Sequence, residues 1–167
     1  MRLALGEARL APPDVPIGAV VLDPSGQLLA GARNERERRG DPTAHAEVLA
    51  LREAAARVGT WRLTGCTLYS NVEPCAMCSW PIRETGVSRV VFSITSPHFG
   101  GLSRWNVLGD LGITSIMRGY FRKPPQIVAG LLLNEAAQVW REWRPRLWNA
   151  MSAKHRSSRL VRAAIAK

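Results

Sequence analysis

The stretch EPCAMC, residues 73–78, constrains the fold of this chain most, because it holds two of the three cysteines at a spacing of three residues. Pro74 is typical of the first turn of a helix, and we predict a helix over residues 75–85. Residues three apart share one helix face, so Cys75 and Cys78 present their sulfur atoms to the same place. The N–H groups of a helix N-terminus favour thiolates, the form that binds metal, although a redox pair is the alternative at this spacing.

A second motif, DPTAHAEV at residues 41–48, opens another predicted helix. The alanine- and leucine-rich stretch that follows predicts a helix over residues 44–58, which Gly59 ends. His45 and Glu47 lie at its start. Taken alone, such a histidine is more often structural or solvent-facing, and such a glutamate usually only complements the helix dipole. Their interpretation therefore depends on the two cysteines.

The two motifs together supply three potential zinc ligands, His45, Cys75 and Cys78. Three nitrogen or sulfur ligands leave Zn2+ one open position for water, which is the arrangement of a catalytic site. A structural zinc site is closed by a fourth protein ligand, and Cys66 and His98 are the available candidates. Neither of these has knuckle-like spacing to the other three, so we expect an open zinc site.

Glu47 has the right place to move protons at such a site. Zinc lowers the pKa of a bound water from about 15.7 toward about 7. A carboxylate two residues from His45 is near the metal without being needed as a ligand, and we predict that Glu47 takes the proton from water and delivers it to a leaving group. The pattern H-x-E followed by P-C-x-x-C is the signature of zinc-dependent nucleobase deaminases.

The rest of the chain alternates between strands and helices. Apolar runs predict strands over residues 17–23, 27–33, 66–72, 88–94 and 126–132. The first two strands form a hairpin around the turn at residues 24–26. Further predictions are polar loops over residues 33–42 and 96–101, a short helix over residues 103–110 and a last helix over residues 134–143. This alternation predicts an α/β fold, with a mixed sheet and helices on its faces.

These motifs resemble those of the cytidine/deoxycytidylate deaminase superfamily, and residues 1–78 are most similar to bacterial tRNA adenosine deaminases. The segments that carry the resemblance are VPIGAVV (15–21), Asn34, DPTAHAE (41–47) and EPCAMC (73–78). The resemblance implies a three-layer α/β/α fold with a central mixed five-stranded sheet, and zinc between two helix N-termini. It also implies a homodimeric enzyme that hydrolyses a C–N bond and releases an exocyclic amine as ammonia.

The resemblance further implies which residues of the amino-terminal half contact the substrate. Asn34 is expected to contact the base, the alternative being a polar turn residue in a charged loop. The backbone around Val15 and Ile17, together with that of Ala46, is expected to line the base pocket.

Beyond Cys78 the chain departs from the tRNA enzymes. Ser96 lies where they have an acidic residue that touches the target ribose. Phe99 is expected to stack on the substrate from a loop that caps the pocket, an ordinary surface loop being the alternative. The segment VWREWRPRLW, residues 139–148, is more similar to free-base and nucleoside deaminases. Its tryptophans are interpreted as core, with a wall that stacks on a base or a dimer contact as alternatives.

Three functions therefore stay open. The first is deamination of adenine in tRNA or another single-stranded nucleic acid, which converts adenosine to inosine after the base enters the pocket. The second is the same chemistry on a free base or nucleoside, such as guanine, cytosine or adenosine. The third is a non-catalytic nucleic-acid-binding module with a structural zinc. Nothing structural requires Glu47 in the third, so we expect a deaminase, with nucleic-acid adenine as its substrate.

Charge separates the end of the chain from the rest. The 167 residues carry a net charge of +10, and residues 141–167 contain eight lysines or arginines against one glutamate. We predict one deaminase domain over residues 1–150 and a basic tail over residues 151–167 that contacts phosphates or is simply solvated. The chain lacks an apolar run of roughly 18 residues, its start is too short and polar for a secretory signal, and three cysteines are too few for a disulfide framework. A cytoplasmic protein is therefore expected.

Overall fold

The computed structural model describes residues 1–116 and 120–155. Its strands are β1 Gly18–Leu22, β2 Leu28–Arg33, β3 Thr67–Val72, β4 Arg89–Ile94 and β5 Gln126–Ala129. They form one sheet in the order β2-β1-β3-β4-β5. β1 is antiparallel to β2 and β3, whereas β4 is parallel to β3 and β5. The prediction of a mixed five-stranded sheet with an amino-terminal hairpin is confirmed.

Helices cover both faces of this sheet. They are α1 Arg2–Arg9, α2 Arg36–Arg39, α3 Ala46–Val58, α4 Ala76–Thr85, α5 Leu111–Ile116, α6 Leu133–Trp143 and α7 Pro145–His155. Ala19 on β1 packs in a core cluster with Ala50 of α3, whereas the preceding residue, Gly18, lies against α1. Because successive strand residues point to opposite faces, α1 and α3 lie on opposite sides of the sheet. The three-layer α/β/α fold is confirmed.

A glycine in β1 lets α1 approach the sheet closely. A Cβ atom on Gly18 would collide with main-chain atoms of Ala4 and Ala8, so any side chain there would displace the helix. Ala4, Leu5 and Ala8 are the buried residues of α1, and their spacing of three and four residues is a helical signal. This helix was not predicted from the sequence, because polar residues interrupt the apolar pattern.

The connection between β4 and β5 differs from its prediction. Residues 103–110 form turns, and the short helix is α5, which begins only at residue 111. The buried guanidinium group of Arg83 on α4 holds this connection. It donates hydrogen bonds to the carbonyl oxygens of Val107 and Leu108, both at 3.2 Å, and of Asp110 at 2.9 Å. These carbonyl groups are therefore satisfied by a distant arginine and not by helical hydrogen bonds.

The remaining differences concern where elements begin and end. The predicted loop over residues 33–42 contains α2, β5 ends at Ala129, and Pro145 begins α7 after α6 ends. A proline fits the first position of a helix, where its missing N–H group has no helical partner. α7 extends past residue 150, and residues 156–167 of the predicted tail lie outside the described residues. Within the described ranges, no helix has the length and apolar character needed to cross a membrane.

Candidate metal centre

The N-termini of α3 and α4 bring the two sequence motifs together. His45 directly precedes α3 and Cys75 directly precedes α4, and both have extended backbones, with φ −76° and ψ 148° for His45 and φ −69° and ψ 173° for Cys75. Cys78 follows in the first turn of α4 and is buried. The partial positive charge of both helix N-termini therefore lies beside two thiols, as the sequence predicted.

The three donor atoms have the separations of a tetrahedral metal site. His45 Nδ1 lies 3.3 Å from the Sγ atom of Cys78 and 3.6 Å from that of Cys75, and the two Sγ atoms are 3.6 Å apart. Zinc bonds of about 2.3 Å to sulfur and about 2.0 Å to nitrogen place tetrahedral ligands roughly 3.5–3.8 Å apart. Both cysteines are free thiols. The donor set fits zinc, with Nδ1 as the ligand atom of the histidine.

The two thiols differ in their affinity for a proton. The pKa of Cys75 is lowered to about 4, chiefly because the Cys78 thiol donates a hydrogen bond to it. The pKa of Cys78 is raised, first by that hydrogen bond and then by burial. The pKa of His45 is also raised, mainly by its hydrogen bond with Cys75. Near neutral pH, Cys75 is thus a thiolate, and Cys78 keeps the proton that a metal ion must displace.

Glu47 is buried beside the donor atoms, with an exposed fraction of 3%. Burial, and next the negative charge of Cys75, raise the pKa of its carboxyl group to about 7. The carboxyl group of Glu47 and the thiol of Cys78 are close enough to shift each other's pKa. An acid with a pKa near 7 is suited to both giving and taking protons at neutral pH.

The two candidates for a fourth protein ligand do not join the site. In the described part of the chain, the group of donor atoms that lie within 4.8 Å of one another consists of the three predicted ligands, without Cys66 or His98. Cys66 lies in the core cluster with Leu68, and burial raises the pKa of its thiol. Among the described residues, the donor group therefore has three protein ligands, the number that a catalytic zinc site uses.

Asn34 is fixed beside the first motif. It is buried, and its side-chain amide donates a hydrogen bond to the buried carboxylate of Asp14 at 3.2 Å. Asp14 also accepts the amide hydrogens of two residues at the start of α2, at 2.9 and 3.2 Å. The residue after Asn34 donates its amide hydrogen to the carbonyl of Ala44, directly before His45, at 3.0 Å. Asp14 was not predicted from the sequence, because its role depends on partners far along the chain.

Asn71, at the end of β3, holds the segment that was predicted to line the base pocket. Its side chain accepts a hydrogen bond from the amide of Gly18 and donates one to the carbonyl of Pro16, both at 2.9 Å. The amide of Asn34 donates to the carbonyl of Ile17 at 2.9 Å. Two buried asparagines thus fix this main chain. Asn71 was also missed, although a polar residue among apolar strand positions was a signal.

The other residues that were predicted to line the base pocket are buried or partly buried. Ala46 is fully buried in the core cluster of α3. Val15 and Ile17 are partly buried and pack against the cluster that includes Leu5. The contacts of these three residues with a substrate stay predictions.

Glu73 anchors the loop that follows β4. Its carboxylate is buried and accepts the amide hydrogens of Ser96 at 2.7 Å, Leu102 at 3.1 Å and Ser103 at 2.7 Å. It also accepts the hydroxyl hydrogen of Ser103 at 2.8 Å. One buried carboxylate thus satisfies four donors of the loop over residues 96–103, which contains the predicted substrate residue Ser96.

The same loop lies across the cysteine motif. Ala76 donates its amide hydrogen to the carbonyl of Phe99 at 3.2 Å, and Gly101 donates to the carbonyl of Pro74 at 2.8 Å. A Cβ atom on Gly101 would collide with the side chain of Ser79, so a glycine is required for this approach. The loop therefore forms a rim directly beside the metal ligands.

The carboxyl-terminal tryptophans differ in their surroundings. Trp140 is 6% exposed and belongs to a core cluster with Leu5 and Ala8 of α1. Its ring contacts that of Trp143 edge to face, with the centroids 5.9 Å apart. The interpretation of Trp140 as a core residue is confirmed.

The fold and the site together define a class of protein, which has three α/β/α layers and a zinc centre between two helix N-termini. Residues 1–94 match the family described as the cytidine and deoxycytidylate deaminase zinc-binding region, and the chain belongs to this family. Its cofactor is zinc, and the three donors that the structure brings together could hold a metal ion.

Relatives with known names include two kinds of tRNA enzyme. The chain is 38% identical over 141 residues to the tRNA(Ile)-lysidine synthase of Deinococcus deserti, covering 83% of the chain but 25% of that protein. It thus spans about a quarter of the length of that relative. It is 39% identical over 137 residues to the tRNA-specific adenosine deaminase of Bacillus subtilis, covering 81% of the chain and 80% of that protein.

Solved structures are similar over most of the chain. A structure of a tRNA:A34 deaminase that edits A to I at the wobble position of transfer RNA is 33% identical, with a TM-score of 0.70, covering 83% of this chain and 96% of that one. The guanine deaminase of Nitrosomonas europaea is 27% identical, with a TM-score of 0.69, covering 84% of this chain and 80% of that one.

Proposed function

We propose that this protein is a zinc-dependent deaminase that hydrolyses adenosine to inosine in tRNA or another single-stranded nucleic acid. The observation that carries the proposal is the buried carboxyl group of Glu47 beside the three clustered zinc donors, His45, Cys75 and Cys78. A non-catalytic zinc module has no need of a buried acid that is not a metal ligand. The similarity to tRNA-specific adenosine deaminases supports adenosine in tRNA as the substrate.

In this proposal His45, Cys75 and Cys78 hold the metal. Bound zinc supplies the Lewis acidity that lets water ionise near neutral pH. Glu47 accepts a proton from the attacking water and gives it to the leaving amine, so adenosine and water become inosine and ammonia. Its burial excludes bulk water, which keeps the proton between the carboxyl group and the reacting atoms.

The substrate contacts are proposals supported by the hydrogen bonds around the site. Asn34 contacts the base while Asp14 fixes its orientation. The main chain of residues 15–17 and Ala46 lines the pocket, and Asn71 holds that segment in place. Ser96 replaces an acidic ribose contact with a hydroxyl group, and Phe99 provides a ring at the rim.

The partners and setting follow from the same proposal. A homodimer is proposed from the family resemblance, and the exposed Met77 and Trp80 on α4, 38% and 47% exposed, supply an apolar surface for it. A tRNA substrate also implies a cytoplasmic protein. We place the catalytic domain at residues 1–150 and a phosphate-contacting tail at residues 151–167.

A second candidate function is deamination of a free base or nucleoside. Its support is the similarity to the guanine deaminase of Nitrosomonas europaea, which extends over 84% of this chain. The two candidates share the metal, Glu47 and the hydrolytic step. They differ in whether a polynucleotide is needed.

The test is ammonia release by the zinc-loaded protein, with Glu47→Gln as the blank. A tRNA anticodon hairpin would be compared with free adenine, guanine and cytosine and with their nucleosides. Ammonia and inosine from the hairpin alone would support the proposal. Release from a free base or nucleoside alone would replace it with the second candidate, and no release above the blank would overturn both.

A further inference from the structure

Two exposed aromatic side chains lie on or next to the loop that crosses the cysteine motif. Phe99 is 71% exposed and Trp105 is 58% exposed. The guanidinium carbon of Arg104 lies 5.3 Å from the centroid of the Trp105 ring. Large rings that remain this exposed beside a metal centre are typical of ligand-binding surfaces, because they supply stacking area that folding has not used.

The main chain that carries these rings is held in place. Arg104 and Trp105 donate their amide hydrogens to the carbonyl of Gly100 at 3.1 and 3.2 Å, and Phe99 donates to the carbonyl of Ser96 at 3.2 Å. Glu73 anchors the same segment through its buried carboxylate. A surface that is ordered before binding loses less conformational entropy when a ligand binds.

We propose that Phe99 and the Arg104–Trp105 pair form a stacking platform for the nucleotides that flank the target base in single-stranded RNA. This inference rests on the proposed function, and it assigns to these three residues the recognition of RNA outside the pocket. At 71% exposure, the Phe99 ring lies at the rim, where a neighbouring nucleotide passes. The platform is continuous with the metal centre, because the carbonyl of Phe99 bonds to the amide of Ala76.

The chemistry of the platform fits single-stranded RNA. Unpaired bases stack on aromatic rings and on the planar guanidinium group with little dependence on sequence. Arg104 adds a cation beside the ring that can also pair with a phosphate.

A matched control pair lies at the other end of α3. The guanidinium carbon of Arg62 lies 4.6 Å from the centroid of the Trp61 ring, and Trp61 is 44% exposed. His45 precedes the start of α3, whereas Trp61 follows its end, and a helix of this length separates them by roughly 20 Å. Trp61 thus offers the same kind of surface pair away from the metal centre.

The experiment measures RNA affinity separately from catalysis. In a Glu47→Gln background that retains zinc, fluorescence anisotropy would give the Kd of a single-stranded hairpin loop for Phe99→Ala, Trp105→Ala and Trp61→Ala. Loss of one base–ring stack raises the Kd roughly 5- to 150-fold, and we expect this range for Phe99→Ala and Trp105→Ala. Phe99→Trp is expected to retain affinity, and Trp61→Ala to stay within about twofold of the parent.

A second readout reports on stacking itself. The fluorescence of 2-aminopurine placed next to the target adenosine is expected to be quenched by the parent protein and not by Phe99→Ala. Unchanged affinity and quenching in both Phe99→Ala and Trp105→Ala would overturn the platform, as would an equal loss in Trp61→Ala. Failure of the proposed function would give a different result. RNA would still bind, and Phe99→Ala and Trp105→Ala would still weaken binding, but the protein with wild-type Glu47 would yield no inosine.

Discussion

The two carboxylate oxygens of Glu73 each accept a hydrogen bond from Ser103, one from its amide at 2.7 Å and one from its hydroxyl at 2.8 Å. The amides of Ser96 and Leu102 use the same carboxylate. A carboxylate offers acceptors only, whereas an amide side chain replaces one acceptor by a donor. The rim of the metal centre therefore depends on a negative, acceptor-only group at residue 73.

Replacement of Glu73 by glutamine is expected to lower the free energy of unfolding by about 2–4 kcal/mol, because buried donors lose their acceptor. Ser103→Ala removes one hydroxyl and is expected to cost only about 1 kcal/mol. Urea denaturation of both variants measures the difference. An equal, small effect of both would show that the loop does not depend on the carboxylate.

Glu47→Gln preserves the shape of the side chain and removes its ability to exchange protons. We expect the rate of ammonia release to fall at least about 10²-fold, the usual contribution of a general acid–base group. Zinc content, measured by atomic emission, is expected to stay at the parent value because Glu47 is not a ligand. Activity within a few-fold of the parent would exclude Glu47 as the proton carrier.

Removal of zinc is expected to make Cys75 reactive toward thiol reagents and to leave Cys66 protected. After chelation, Cys75 reacts first at neutral pH, since its pKa is lowered to about 4 by the hydrogen bond from Cys78. The pKa of Cys66 is raised by burial, so its thiolate fraction is smaller and its reaction accelerates only as the pH rises. Mass spectrometry after brief alkylation identifies the modified residues. Equal labelling of Cys75 with and without chelator would argue against it as a ligand.

Gly18→Ala tests the contact between α1 and the sheet. The added methyl group would collide with the backbone of Ala4 and Ala8, and overpacking of this kind costs about 1–3 kcal/mol or more. Gly31→Ala in the neighbouring strand is the control, because its nearest neighbour, a Glu7 carboxylate oxygen, would lie at 3.4 Å. Thermal denaturation measures the effect, and we expect a lower Tm for Gly18→Ala only. Similar values for both variants would mean that α1 shifts without cost.

The metal ligands could be predicted because their signal is local. The alanine-rich composition and a following glycine identify α3, and a preceding proline identifies the start of α4. His45, Cys75 and Cys78 lie at these two helix starts. Together they form a set of zinc donors, which none of them indicates alone. Asp14, Asn71 and Glu73 were not predicted as site residues. Each acts through main-chain groups that no residue pattern marks, and the partners become neighbours only when the sheet forms.

The fold, like the site, was predictable where the signal is local. Strands with continuous apolar runs and the alanine-rich helix were found within a few residues of their ends. The segment after β4 was not, because its conformation depends on hydrogen bonds from Arg83 to carbonyls more than twenty residues away. The short helix predicted over residues 103–110 is replaced by turns, whose carbonyl groups these hydrogen bonds satisfy.

The attachment of the rim loop has a consequence for how such a protein changes over generations. Glu73 binds the amides of Ser96, Leu102 and Ser103, and three of its four hydrogen bonds thus involve atoms common to every amino acid except proline. Between these anchor points, the side chains of residues 97–99, including that of Phe99, can be exchanged while the loop keeps its path, whereas Gly100 and Gly101 have no room for a side chain. Substrate preference can therefore diverge at the rim of the pocket while the zinc centre beneath it stays intact.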